Sequence, residues 1–146
     1  MLIVAALALC PLVGQAQTVT ATVSVGTAPL AVAVNPVTNK VYVANFSSNN
    51  VSVIDGATNT ATNIDASGIE PVALAVNPAT NKIYVVNAAS YSVTVIDGAT
   101  NQTKSLVVDV AGNPQAIALN PVTNKIYVAN FNTHDITVID GATDTT

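Results

Sequence analysis

The chain has 146 residues, half of them hydrophobic and only 8% charged, with a formal net charge of −4. That balance excludes a disordered, solvating chain, and four lysines without an arginine supply no basic patch for nucleic-acid phosphates. The only cysteine, Cys10, lies in an N-terminal apolar run, so the rest of the chain offers no thiolate nucleophile, disulfide or Cys-based zinc site.

Residues 1–16 open with MLIVAALALCPLVG, and Gly14 and Ala16 are the small residues expected just before a cut after Ala16. This predicts a secretory signal peptide and a secreted, periplasmic or cell-surface protein. The run is shorter than the roughly 20 apolar residues of a membrane-spanning helix, so no membrane span is expected. Leu9, directly before Cys10, is too bulky for a lipoprotein signal.

Residues 17–146 are organised by one phrase written three times: NPVTNKVYVANFSSNNVSVIDG from residue 35, NPATNKIYVVNAASYSVTVIDG from 77 and NPVTNKIYVANFNTHDITVIDG from 120. Spacings of 42 and 43 residues, filled with short Val- and Ile-rich alternating segments and turn signals, point to β-propeller blades rather than a helical solenoid. In chain order, residues 18–26 (TVTATVSVG) read as an outermost strand, in phase with 61–68 and 103–112. Residues 30–34, 72–76 and 116–119 read as the innermost strands, whose small alanines suit a crowded centre. Asn-Pro-x-Thr-Asn-Lys is a hairpin turn into the second strands at 41–45, 83–87 and 126–130. The third strands are 51–55, 93–97 and 136–140. Asp-Gly-Ala-Thr follows each as a tight turn in which glycine supplies a positive φ. The expected fold is all-β, about three four-stranded antiparallel meanders near 27–68, 69–112 and 113–146, with 18–26 as an extra outer strand.

The pieces Lys40-Val41-Tyr42-Val43-Ala44-Asn45 and Val53-Ile54-Asp55-Gly56, with both later copies, resemble the YVTN family of β-propeller repeats. The likeness covers nearly everything after the leader. It implies an exported or cell-surface propeller, surface-layer proteins among its kin, mostly without a known activity and usually with about seven blades. Three blades should leave a ring open. Three outcomes follow: a piece of a longer propeller that supplies additional blades, a homodimer exchanging its outermost strand to form a six-bladed ring, or an open arc.

Alternate hairpins of a meander lie at opposite ends, which separates two nearly invariant turns from the variable loops. Those loops read Phe46-Ser-Ser-Asn-Asn50, Ala88-Ala-Ser-Tyr-Ser92 and Phe131-Asn-Thr-His-Asp135. Recognition needs distinct groups at distinct places, and loops on a rigid frame supply them. The candidate binding residues are Phe46, Asn49, Tyr91, Phe131 and His134, with a protein or glycan surface as partner.

No catalytic residue, cofactor or metal is expected. There is one histidine and no Gly-x-Ser-x-Gly elbow, and the repetition of Asp55, Asp97 and Asp140 at one turn position argues for bonding to the backbone. Pairing about the loop centre sets Val41 opposite Asp55 and predicts weak rim pairs between Lys40, Lys82 and Lys125 and those aspartates. The function expected is a non-enzymatic binding or surface module. The alternatives are a fragment of a propeller enzyme, lactonase-like or cofactor-dependent oxidoreductase, and a self-assembling surface-layer tile.

Overall fold

The computed structural model describes residues 18–106 and 112–146. The leader expected at 1–16, and 107–111 of the third outermost segment, lie outside the described residues. Eleven strands are described: β1 (Pro29–Asn35), β2 (Lys40–Asn45), β3 (Asn50–Asp55), β4 (Ala61–Asp65), β5 (Pro71–Asn77), β6 (Lys82–Asn87), β7 (Ser92–Asp97), β8 (Thr103–Leu106), β9 (Pro114–Asn120), β10 (Lys125–Asn130) and β11 (Asp135–Asp140). They form three antiparallel sheets, β1-β2-β3-β4, β5-β6-β7-β8 and β9-β10-β11, each a meander. These are the first, middle and third blades. Their innermost strands β1, β5 and β9 lie side by side, so the blades stack about their first strands. Among the described residues the arc does not close.

Alternation decides what meets between blades, because residues directly opposed in an antiparallel pair share a face. In the first blade Tyr42 opposes Val53, and in the middle blade Ile83 opposes Ile96 and Val85 opposes Thr94. Tyr42, Val51 and Val53 pack with Ile83, Val85 and Ile96 in one core. The other face of the middle blade carries Tyr84, Val86, Val93 and Val95, which pack with Ile126, Val128 and Ile139 of the third. The middle blade is therefore covered on both faces and its neighbours on one. Val32 and Val34 of the first blade remain 66% and 54% exposed, and Ile136 and Val138 of the third 55% and 40%.

Three expectations are corrected. Residues 18–26 form no strand. The edge they would complete, that of β11, belongs to the third blade, and the middle blade stands between. Lys40 stands directly opposite Asp55, not diagonal to it, because Asn50 pairs with Asn45 and shortens the loop to four residues. The glycine of Asp-Gly-Ala-Thr has no positive φ; Asn59, Asn101 and Asp144 do, at 57°, 59° and 55°. Glycine is needed there for closeness instead. A Cβ on Gly98 would stand 2.4 Å from Asn81 Oδ1 and 2.8 Å from the Asn81 carbonyl, because Gly98 N–H donates to that carbonyl at 2.8 Å.

Candidate functional site

The turn end is bound up with its own backbone. Asp55 Oδ1 accepts from the N–H groups of Ala57 and Thr58 at 2.8 and 3.0 Å, and Asp97 does the same with Ala99 and Thr100. Asp140 accepts from Ala142 and Thr143 at 2.8 and 3.4 Å. These donors, Thr58 and Thr100 foremost, hold the carboxyls of Asp55 and Asp97 below the ordinary carboxylate value. Asn35, Asn77 and Asn120 cap the other turn in the same way, each accepting at 3.0 Å from the N–H two residues on. The aspartates are turn caps, as their repetition suggested.

The same end latches blade to blade. Asn35 Nδ2 donates to Asn81 Oδ1 at 2.9 Å, and Asn77 Nδ2 to Asn124 Oδ1 at 2.8 Å. Lys40 Nζ donates to the Gly98 carbonyl at 2.8 Å, and Lys82 Nζ to that of Gly141 at 3.1 Å. Lys82 also forms the one ion pair among the described residues, at 2.8 Å to Asp144. The rim pairs expected within blades are therefore not formed among the described residues: Lys40 and Lys82 reach across to the next blade, where a carbonyl stands at the right depth. Tyr84 Oη donates to Asp144 at 3.2 Å. Burial first, then that carboxylate, pushes the Tyr84 hydroxyl far up.

At the loop end, the strand-joining segments are tied to the hairpin loops of the same blade. Phe46 N–H donates to the Ala28 carbonyl at 2.9 Å, Ala88 N–H to Glu70 at 2.9 Å and Phe131 N–H to Asn113 at 3.2 Å. The variable hairpin loops and the segments that join one blade to the next thus lie at one end, as the meander requires. Beneath them, the asparagine of each Tyr-Val-x-Asn phrase is buried and braces its hairpin. Asn45 Nδ2 reaches Asn50 and Ser52, Asn87 Nδ2 reaches Ser92 and Thr94, and Asn130 Nδ2 reaches Asp135 and Thr137, all between 2.7 and 3.2 Å. Asn130 and then Thr133 hold the Asp135 carboxyl below its ordinary value. These braces went unrecognised as such in the sequence, although the asparagine stands five residues before an Asn, Ser or Asp in every copy.

The five candidate residues come to this end on three separate hairpins. Phe46 is half-buried, whereas Tyr91 and Phe131 are 50% and 70% exposed. Asn49 is exposed but has structural work, since its Oδ1 accepts from Glu70 N–H of the next blade at 2.8 Å. Asn49, Tyr91 and His134 occupy one equivalent position, left-handed in each copy, with φ of 52°, 49° and 60°. Asn tolerates that region and His is enriched there, but a bulky Tyr is strained. The five are gathered at one end but line neither described cavity. One cavity of about 250 Å³ lies at the turn end, between Lys82, Asp97, Thr103 and Asp144. Another of about 160 Å³ is a shallow dip over Leu30, Val32 and Val43 on the open face of the first blade. Among the described residues no three His, Cys, Asp or Glu side chains are grouped to hold a metal, and no helix is long and apolar enough to cross a membrane.

Antiparallel meanders stacked about their first strands, latched at one end and variable at the other, define a β-propeller. The chain belongs to the YNCE-like β-propeller family, whose model matches residues 2–145. Among solved structures it is similar to Kuenenia stuttgartiensis hydrazine synthase, with 27% identity and a TM-score of 0.74 over 88% of this chain and 38% of that one. It is also similar in fold to a chain of a nidogen/laminin complex, with 16% identity and a TM-score of 0.70 over 83% of this chain and 47% of that one. The chain thus spans less than half the length of either. No curated protein sequence matches it significantly.

Proposed function

We propose that the chain is an exported, non-enzymatic propeller module that acts as a binding or cell-surface scaffold through its loop end. The observation that carries this reading is the contrast between the ends. The turn end spends its polar side chains on its own backbone and on neighbouring blades. The loop end presents a different group in each copy at one left-handed position, including a half-exposed Tyr91 whose backbone is strained. Strain at an exposed aromatic on a rigid frame is the pattern of a contact residue. The laminin complex named for one structural neighbour offers a precedent for a protein partner.

The test is binding of the labelled chain to immobilised glycans and to cell-surface preparations. Tyr91→Ala with His134→Ala is expected to weaken binding at least tenfold, while Lys104→Ala on an exposed strand leaves it unchanged. Equal binding by all three proteins would remove the loop end from consideration. Export is tested separately, by fusing residues 1–20 to a reporter active only outside the cytoplasm. A second reading, a segment of a propeller enzyme, draws on the likeness to hydrazine synthase. Turnover of a lactone or of a redox-dye-coupled substrate by the purified chain would establish it and overturn the first.

A further inference from the structure

The first and middle blades meet at one joint, the middle and third blades at another, and at the turn end the two joints differ in one residue type. Both set a lysine and a tyrosine of one blade against the turn that follows the third strand of the next. Lys40 and Tyr42 meet residues 97–101, and Lys82 and Tyr84 meet residues 140–144. In the second joint the last residue of that turn is Asp144. Its carboxylate accepts from Lys82 Nζ at 2.8 and 3.0 Å and from Tyr84 Oη at 3.2 Å, so ammonium, hydroxyl and carboxylate are all partnered.

In the first joint the equivalent residue is Asn101, on the same left-handed backbone, with φ of 59° against 55°. Lys40 Nζ still reaches the Gly98 carbonyl at 2.8 Å, but the rest of the contact is undone. Tyr42 is fully buried, and its hydroxyl has no hydrogen-bond partner among the described residues. The buried Oδ1 of Asn101 has none either. Two orphaned polar atoms in one joint are costly unless something lies between them.

The groups present narrow what that is. Burial first, then the Asp97 carboxylate, pushes the Tyr42 hydroxyl up, so it stays protonated and offers a donor. Lys40 carries ammonium hydrogens beyond the one spent on the Gly98 carbonyl. Asn101 Oδ1 offers an acceptor. The occupant must therefore accept from the first two and donate to the third. A carboxylate cannot donate, and a metal cation cannot accept and would stand against the lysine charge. Water does both, and three hydrogen bonds are what an internal water typically makes.

We propose that a single water molecule is built into the first joint, accepting from Tyr42 Oη and Lys40 Nζ and donating to Asn101 Oδ1, where the second joint uses the Asp144 carboxylate. The site lies between two four-stranded blades of this chain, away from both ends of the arc. It uses no loop-end residue, so it stands apart from the binding role. The first two blades are thus joined through a hydrated contact and the last two through an ion pair.

Tyr42→Phe removes only the hydroxyl. With the water in place that takes away a hydrogen bond, and the urea midpoint should fall, as it should for Tyr84→Phe at the second joint. A hydroxyl without a partner is lost at no cost, so an unchanged or raised midpoint for Tyr42→Phe overturns the proposal. A crystal structure of the full chain gives a reading that needs no variant. Density for one water within about 3.2 Å of both Tyr42 Oη and Asn101 Oδ1 is expected. A dry joint, or Tyr42 Oη bonded directly to Asn101, overturns it.

Discussion

At the scale of single residues, the clearest tension lies at Tyr91. The left-handed region costs an L-residue about 1–2 kcal/mol relative to glycine, and asparagine, the residue at the equivalent position 49, meets little of that cost. Tyr91→Asn is therefore expected to stabilise the chain by up to about 1 kcal/mol, read as a raised urea midpoint at unchanged slope. A lower midpoint would mean that the ring packs on its neighbours strongly enough to offset the backbone. That the candidate residues share one end was legible from the meander, which puts alternate hairpins on opposite ends. What could not be read was that one of the five, Asn49, is spent on the next blade, because a hydrogen bond to a backbone N–H 21 residues away leaves no trace in residue type.

At the scale of elements, the three inner strands of each blade were legible almost to the residue: alternation and the Asn-Pro and Asp-Gly punctuation bound them, and the observed ends differ by a residue or two. The outermost strands were not, since β4 ends at Asp65 rather than 68 and residues 18–26 form no strand. The turns were legible in part. Asp-Gly suggested a left-handed glycine, but Asn59, Asn101 and Asp144 take that conformation and the glycine makes room for the neighbouring hairpin. Contact between two turns of one blade is tertiary, and dipeptide statistics do not carry it. Gly98→Ala should consequently destabilise by about 1–3 kcal/mol through overpacking against the Asn81 backbone. Chemical denaturation decides it, and a change below about 0.5 kcal/mol would show that the two hairpins can separate freely. The lysines erred for a related reason: within one repeat the aspartate is nearest, but the blade stack brings a carbonyl and Asp144 nearer.

At the scale of the whole molecule, stability should fall in acid. Asp55, Asp97 and Asp135 each have a folded value below the ordinary 3.8, so the native state binds their protons less readily than the unfolded chain does. Their contribution is present above pH 4 and is lost as the pH falls through the depressed folded values. Urea midpoints should be level from pH 7 to about 5 and drop below about 4. A midpoint constant down to pH 2 would show that these caps hold equally well when protonated.

The asparagine and lysine–carbonyl latches each join a residue of one repeat to the corresponding part of the repeat that follows, and neither depends on which repeat comes first. The copy number is therefore written nowhere in the unit itself. A duplication or loss of about 42 residues would bring its own matching halves with it, so the length of such a chain can drift by whole blades without a single compensating substitution.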